Sequence, residues 1–297
     1  MSADQFVHSP LLYRGTEQYL AGAVPFVTEG LARGEAVAIA VPTAQLDLIR
    51  DALGDMAGQV HLIDMKAAGR NPAHIIPGVL RAFADSHDRP VRIIGEPVWP
   101  GRAAIEYPAC AQHEALINYA FTGRHVQIRC AYDVGILPTH FLADVERTHP
   151  GDSYDPDTVI AKYNEPLDPP ADAEYRCVDA ATLSDVRRFT TKYGTQAGLG
   201  ARVDDLVLSI DELAANSIRH GGGTGTVSAW MEAGSVVCQV SDSGHLRNPL
   251  AGRIPAPALQ IGGRGLLMVN HMADLVRIHT SPQGTSIRVY FTTPPAG

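Results

Sequence analysis

Short, mainly apolar segments alternate with helix-length segments through the first half of the chain, and this alternation constrains its fold most. The apolar segments are "EAVAIAVP", "QVHLID", "PVRIIGEP" and "HVQIRCAYD", and a longer stretch with a helical pattern separates each from the next. Strands that alternate with helices form a parallel sheet, and their apolar character fits burial on both faces. We therefore expect an N-terminal α/β domain with a parallel sheet covered by helices on both faces.

Size and charge limit the classes of protein to which the chain can belong. Its 297 residues are enough for two ordinary domains, and 45% hydrophobic residues predict packed cores. The formal net charge of -8 argues against a nucleic-acid surface. The apolar runs fall short of the roughly 18 residues that a membrane span requires, and the N-terminus lacks the features of a signal peptide. The sequence predicts a cytoplasmic protein with no membrane contact and no direct nucleic-acid partner.

Composition and pattern change after the first 150 residues. The stretch "PGDSYDPDTVIAKYNEPLDPPADAE" is rich in proline, which removes backbone donors and fixes backbone angles, so a linker or an edge segment is predicted there. Beyond it, two helical patterns precede a pair of alternating strands, a glycine- and proline-rich loop, a short helix and two final strands. This order predicts an α+β domain with helices on one face of a mostly antiparallel sheet. We place the domains at residues 1–165 and 166–297.

The stretch "DELAANSIRHGGG" ends the second helix of the C-terminal domain. On a helical wheel, Glu212 and Asn216 are neighbours at i and i+4 on the side opposite the apolar stripe centred on Ile210. That stripe is predicted to pack on the sheet and contains Val203, Leu206, Val207, Leu213, Ala214 and Ser217. The polar side is either an ordinary solvated face or one wall of a site for a charged ligand.

Three further short motifs follow this helix in order. "SDSG" places Asp242 and Gly244 at the end of a strand, "GGRGL" opens a helix after a loop, and "QGTS" places Thr285 between the last two strands. Each motif alone is typical of an ordinary turn or loop. The ordered set, each member in its structural context, is far more specific.

This ordered set resembles the GHKL-type ATP-binding fold shared by DNA gyrase, histidine kinases and MutL, over about residues 174–293. Within that group the E-x-x-x-N pattern and "RGLLMV" are most similar to the anti-sigma-factor serine kinases. The resemblance implies a two-layer α+β sandwich that binds ATP and Mg²⁺. Many relatives carry a glycine two residues after the DxG motif, where this sequence has Leu246.

The resemblance also implies roles for individual residues. Asn216 would ligate Mg²⁺, which prefers oxygen ligands, and Glu212 would act as the general base towards a water or a hydroxyl. Asp242 would accept a hydrogen bond from the adenine amino group, with Gly244 and Thr285 completing the pocket. The triphosphate would lie at a helix N-terminus, beside Gly262, Gly263, Arg264, Gly265 and Leu266. The loop from His245 to Gln260 is predicted to form a lid.

The N-terminal domain resembles the MEDS sensory domain from about His8 to Pro150. The resemblance rests on "HSPLLYRGTEQYLAGAVPFVTEGLARGEAVAIAVP" at its start and "RCAYDVGILPTHFLADVERTHP" at its end. It implies binding of a small, hydrocarbon-type signal molecule. The domain is also distantly similar to the RecA-like class, but it lacks the GxxxxGKS/T phosphate loop, so no second ATP site is expected.

Polar residues near the predicted strand ends are the candidates for contact with that signal, because open α/β sheets bind ligands at strand ends. The polar residues in these positions are His8, Tyr13, Glu96, Tyr132, Asp133 and His149. His8, Tyr13 and His149 are selected as the candidates, and each residue has the alternative of a purely structural role. A metal site from His8, Cys130 and His149 has no support from their spacing. The four cysteines show no CxxC pair, so buried free thiols are expected.

These expectations combine into one preferred function and two alternatives. The preferred function is a signal-responsive anti-sigma-type regulator, a protein serine kinase that phosphorylates a STAS-type anti-anti-sigma partner, sequesters a sigma factor, or does both. The first alternative is a non-catalytic nucleotide-gated switch. The second is a sensor histidine kinase, against which the absence of a phosphoacceptor hairpin argues. The sequence leaves open whether the chain forms a homodimer.

Overall fold

The chain divides into two compact units, Met1–Tyr163 and Asn164–Gly297. The computed structural model describes residues 6–254 and 263–294. Asn164 exchanges two hydrogen bonds with Thr280, and Glu165 forms an ion pair with Arg277. Because of these contacts, residues 164 and 165 pack with the second unit, two residues before the boundary expected from the sequence.

The first unit contains a five-stranded sheet in the order β1-β5-β4-β2-β3, and every strand pair in it is parallel. Its strands are β1 (Val7–Tyr13), β2 (Ala36–Val41), β3 (His61–Asp64), β4 (Val91–Gly95) and β5 (Val126–Asp133). The predicted parallel sheet is confirmed.

Helices connect these strands and cover the sheet on both faces. They are α1 (Gly15–Ala32), α2 (Thr43–Leu53), α3 (Met65–Ala68), α4 (Pro72–His74), α5 (Ala82–Asp85), α6 (Tyr107–Ala120), α7 (Thr139–Thr148) and α8 (Pro156–Lys162). The segment Ile75–Arg81 continues from α4 into α5 as a π-helix. The sequence predicts an interruption at Pro77, but the wider i→i+5 turn carries the chain past the missing donor.

The two faces of the sheet follow from the period-two alternation of side chains along a strand. On one face, Val37, Ile39 and Val41 of β2 pack with Phe26 of α1 and Ile49 of α2. On the other face, side chains of β1 and β5 that point the opposite way meet α6. This division decides which polar residues of the unit can meet.

The proline-rich stretch is a helix in part, not only a linker. Asp155 caps the N-terminus of α8 by accepting a hydrogen bond from the Thr158 backbone N–H at 3.1 Å, and Pro156 occupies the first helical position. Val159 and Tyr163 then pack against α6. The linker prediction is therefore wrong for residues 156–162, since an Asp cap followed by proline is a helix start.

The second unit contains a five-stranded antiparallel sheet in the order β6-β7-β8-β10-β9. Its strands are β6 (Glu174–Val178), β7 (Gly225–Glu232), β8 (Ser235–Asp242), β9 (Leu275–Ser281) and β10 (Gly284–Thr292). Its helices are α9 (Leu183–Gln196), α10 (Val203–His220) and α11 (Gly265–Met272). Leu206, Ile210 and Leu213 of α10 are buried as the periodicity predicts. The α+β sandwich is confirmed.

No helix among the described residues is long and apolar enough to cross a membrane. Of the four free cysteines, Cys110, Cys130 and Cys238 are buried, but Cys177 is exposed on β6, so the expectation of four buried thiols is wrong for that residue.

Candidate functional site

Asp242 ends β8, and two groups from different parts of the second unit fix its carboxylate. The Ser217 hydroxyl of α10 donates to Oδ2 at 2.6 Å, and the Gly244 backbone N–H donates to Oδ1 at 2.8 Å. An ionised carboxylate offers about four lone-pair sites, so both oxygens keep acceptor capacity for a further donor. The carboxylate is half-buried and oriented before any ligand arrives.

The turn that follows Asp242 packs closely against the end of α10. A methyl group on Gly244 would lie 2.7 Å from the His220 carbonyl oxygen, and one on Gly221 would collide with the Asp242 carboxyl group. The Ser243 hydroxyl donates to the Gly221 carbonyl at 2.8 Å. Only glycine allows this approach of backbone to backbone, so the sequence "HGGG" and the DxG motif form one structural unit.

Thr285 of β10 holds the same turn from the other side. Its hydroxyl donates to the Gly244 carbonyl at 2.8 Å and lies 2.8 Å from the Thr280 hydroxyl, which accepts from the Leu246 backbone N–H at 2.9 Å. The antiparallel register places Thr285 directly opposite Asp242. Asp242, Gly244 and Thr285, three residues predicted for one pocket, therefore meet at one end of the sheet.

Glu212 faces the N-terminus of α11. A methyl group on Gly265, the first residue of that helix, would collide with the Glu212 carboxylate. Free backbone N–H groups and the helix dipole favour an anion at this position. The structure thus places Glu212 where the sequence predicts phosphate binding, and helix α10 packs on α11 there.

The remaining predicted residues lie around this helix start or outside the described residues. Gly263, with φ +81°, and Arg264 are exposed, whereas the Leu266 side chain is buried, so that residue presents only its backbone N–H. Gly262 lies outside the described residues, as does the end of the predicted lid, from Pro255 onwards. Asn216 is half-buried, and its Oδ1 accepts a hydrogen bond from Arg219 at 3.1 Å.

The described start of the predicted lid folds back on α11. The Gly252 carbonyl accepts a hydrogen bond from the Asn270 side chain at 2.9 Å, and a methyl group on Gly252 would press into Leu266. Arg253 is almost completely buried, and this burial lowers the pKa of its guanidinium to about 10.

Comparisons with known proteins agree with this geometry. Residues 7–150 match the family model "MEthanogen/methylotroph, DcmR Sensory domain", or MEDS. Residues 178–291 match the model "Histidine kinase-like ATPase domain". The chain joins a MEDS domain to a histidine kinase-like ATPase domain. No curated protein matches it significantly.

Among solved structures, the chain is similar to the RsbU and RsbW domains of Rv1364c from Mycobacterium tuberculosis. The match has 22% sequence identity and a TM-score of 0.31, and it covers 43% of this chain. It spans 34% of the length of that protein's solved chain.

The MEDS domain separates its three candidate residues into two groups. His8 lies near the start of β1 and points to the face covered by α6, where it meets His149 with ring centroids 4.1 Å apart. Tyr13 is an odd number of residues further along β1 and therefore points to the opposite face. The sequence placed all three near the strand ends without this distinction.

Tyr13 pairs with a buried acid instead. Its hydroxyl donates to Glu96 Oε1 at 3.0 Å, just beyond the carboxyl end of β4. The pKa of Glu96 is raised to about 8, mainly because the group is buried; the hydrogen bond from Tyr13 lowers it, and the nearby Asp133 raises it. Glu96 is therefore a carboxylic acid that keeps its proton near neutral pH.

The sequence does not predict two residues that contribute to these sites. Ser217 was assigned to the apolar stripe of α10, and its polarity at a core position was the available signal for a buried hydrogen bond. Glu114, on α6 between His113 and an apolar run, is buried beside His8 and His149. A buried acid on an apolar helix face is rare without a partner, and that rarity was its signal.

Proposed function

We propose that the ATPase domain binds ATP with Mg²⁺ and serves as the kinase module of an anti-sigma-type regulator. The observation that carries the proposal is the Asp242 carboxylate, held by Ser217 and Gly244 at the end of β8 with acceptor capacity to spare. An adenine amino group is a donor that such an acceptor suits. The family match to a histidine kinase-like ATPase supports a nucleotide as the ligand.

The residues around Asp242 fit the remaining parts of the nucleotide. Gly244 leaves no side chain between the base and the backbone, and Thr285 holds the turn that carries it. The start of α11, with its free N–H groups, would hold the phosphates, with Gly262, Gly263, Arg264, Gly265 and Leu266 as the residues involved. Asn216 would supply a neutral amide oxygen to Mg²⁺ by exchanging its exposed hydrogen bond with Arg219.

Glu212 is the proposed general base. Bound ATP with Mg²⁺ would supply the phosphoryl group. Glu212 would accept the proton from the attacking serine hydroxyl, and its carboxylate lies against the N-terminus of α11. The same contact holds the carboxylate close to the expected phosphate position.

The partners follow from the anti-sigma resemblance. They are a STAS-type anti-anti-sigma protein that receives the phosphoryl group on a serine and a sigma factor that the chain sequesters. The MEDS domain would bind a small-molecule signal through residues such as Tyr13, His8 and His149, and so regulate the kinase. We also propose that the chain forms a homodimer and that its two domains span residues 1–165 and 166–297.

The test is incubation of the full chain with radiolabelled ATP and each STAS protein encoded in the same genome. Acid-stable label on a partner serine supports the kinase. Intact nucleotide affinity without any labelled serine would instead establish the nucleotide-gated switch, and acid-labile label on the chain itself would establish a histidine kinase. Absence of ATP affinity in calorimetry, with the fold intact, overturns the nucleotide site altogether.

A further inference from the structure

Four potential metal ligands converge inside the MEDS domain, from four different elements. They are His8 on β1, Glu114 on α6, Cys130 on β5 and His149 directly after α7, and the ligand atoms all lie within 4.8 Å of one another. All four residues are buried. They are brought together by the fold, which explains why the sequence spacing gives no metal-binding pattern.

The two histidines are oriented with the same nitrogen towards the centre. His8 Nδ1 lies 3.2 Å from Asn118 Oδ1, and His149 Nδ1 lies 2.8 Å from the Val145 carbonyl oxygen. Both of these oxygens can only accept, so each Nδ1 carries a proton. In the neutral form of each ring, Nε2 then presents its lone pair to the centre, as the second-shell bonds of metal-binding histidines arrange.

Asn118 is itself fixed in the orientation that this requires. Its amide nitrogen donates to the Thr148 carbonyl at 2.8 Å and also lies within bonding distance of the Glu114 and Ala115 carbonyls. These carbonyls demand the donor end of the amide, so Oδ1 must face His8. The hydrogen bonds that fix the Asn118 amide therefore also fix the tautomer of His8.

The centre holds several acceptors and little to satisfy them. Glu114 Oε2 lies 3.4 Å from both His8 Nε2 and His149 Nε2. Within the described part of the chain, neither Glu114 carboxylate oxygen nor His149 Nε2 makes a hydrogen bond with acceptable geometry. Buried polar atoms without partners are costly, and a cation at the centre would satisfy Glu114 Oε2 and His149 Nε2 together.

We propose that His8, Glu114, Cys130 and His149 bind a zinc-class divalent cation. A tetrahedral Zn²⁺ site with bonds of about 2.0–2.3 Å separates neighbouring ligand atoms by about 3.3–3.8 Å. The separation of His8 Nε2 from Cys130 Sγ is 3.3 Å, which agrees with this spacing, as do the two 3.4 Å separations from Glu114. On binding, the Cys130 thiol loses its proton to solvent and the thiolate coordinates the ion.

A small cavity adjoins the site at Glu114. Glu114 and Tyr132 line a mainly apolar cavity of about 20 Å³, together with Tyr107, Phe141 and Val145. This volume is enough for about one water molecule.

The test measures metal content and spectroscopy on the full chain, independently of kinase activity. The protein is purified under reducing conditions, loaded with Zn²⁺ or Co²⁺, and dialysed. We expect about one ion per chain for the wild type. We expect at least a tenfold weaker affinity for His149→Ala, and loss of the thiolate-to-cobalt charge-transfer band in Cys130→Ser. Cys110→Ser replaces another buried thiol of the same domain and should retain both ion and band.

Two results would overturn the proposal. One is a wild-type chain, folded by circular dichroism, that retains less than about a tenth of an equivalent of either ion. The other is metal content that is unchanged in His149→Ala, which would mean adventitious binding only. If an alanine variant fails to fold, His149→Gln keeps the volume and hydrogen bonding of the site while weakening a ligand, and the same comparison applies.

Discussion

The Ser217 hydroxyl of α10 donates a hydrogen bond to the carboxylate of Asp242 on β8 at 2.6 Å. This bond joins a helix to a strand through two residues that are 25 positions apart in the sequence. Because Gly244 binds the other oxygen, the carboxylate cannot rotate freely. The fold therefore orients the carboxylate of the proposed nucleotide site before the ligand binds, and each of these contacts can be removed separately.

Asp242→Asn should weaken ATP binding. The asparagine places a donor where the proposed adenine amino group also donates, and loss of a hydrogen bond to a charged group corresponds to about a 10- to 100-fold change in Kd. Ser217→Ala should weaken binding about fivefold, because it removes only the orientation of the carboxylate. Isothermal calorimetry with ATP and Mg²⁺ measures both.

The matched control for Ser217 is Ser209→Ala. Ser209 is also buried on α10, but its hydroxyl bonds only to the Asp205 carbonyl of its own helix. It should leave the affinity unchanged. Equal losses in the two serine variants would show that the effect comes from general disturbance of α10, and unaltered affinity in Asp242→Asn would remove the basis of the nucleotide site.

Glu212→Gln should separate catalysis from binding. The amide keeps the size of the side chain but cannot accept a proton, so transfer to the partner serine should fall about 100- to 10,000-fold. ATP affinity should change little, because Asp242, and not Glu212, makes the proposed contact with adenine. Single-turnover phosphotransfer and calorimetry on the same preparation measure the two quantities.

The neighbouring Asp211→Asn provides the control for charge. Asp211 pairs with Arg187 on the surface at 2.7 Å, so its replacement removes the same charge from the same turn of α10. Phosphotransfer should survive in that variant. A Glu212→Gln enzyme with normal transfer rates would rule out this residue as the general base.

Gly265→Ala should destabilise the ATPase domain through its contact with Glu212. The added methyl group collides with the Glu212 carboxylate, and such overpacking costs about 1–3 kcal/mol. In a Glu212→Ala background the collision disappears, and alanine should then stabilise α11 by up to about 1 kcal/mol. Trp230 fluorescence in a Trp99→Phe background reports the unfolding of this domain alone.

The change of sign between the two backgrounds is the decisive outcome. If Gly265→Ala costs the same free energy with and without the Glu212 carboxylate, the two residues do not interact, and Glu212 does not face the start of α11.

The sequence predicts what is local and misses what depends on register between distant elements. The buried positions of α10 follow from helical periodicity alone, so Leu206, Ile210 and Leu213 were identified correctly. The role of Ser217 does not follow from periodicity, because the pairing of β7, β8 and β10 places its partner Asp242. Helix α8 could have been predicted from the sequence, because Asp155 followed by Pro156 is a local signal for a helix start. The high proline content of the surrounding stretch instead favoured a linker.

The N-terminal domain shows the same limit more sharply. Parallel strands were predictable from alternation, but the face on which each polar residue lies depends on the exact strand bounds. His8 and Tyr13 differ by an odd number of positions along β1, so their side chains point to opposite faces of the sheet. Glu114 and His149 meet only because α6 and the end of α7 converge on that strand, a juxtaposition that no spacing in the sequence encodes.

Glu96 should make the stability of the MEDS domain fall as pH rises. Its pKa is raised by burial to about 8 from an ordinary 4.5, so between these values the folded state holds a proton that the unfolded state has released. Raising the pH through this window therefore favours unfolding, by an amount on the order of 5 kcal/mol that levels off above the folded pKa. Glu96→Gln keeps an acceptor for Tyr13 and removes the titration, so its free energy of unfolding should vary much less between pH 5 and pH 8.

Trp99 fluorescence in a Trp230→Phe background follows this domain, with the exposed Glu17→Gln as the control. Identical pH slopes in the Glu96→Gln variant and its parent would show that Glu96 is ionised in the folded domain and that Tyr13 donates to a carboxylate.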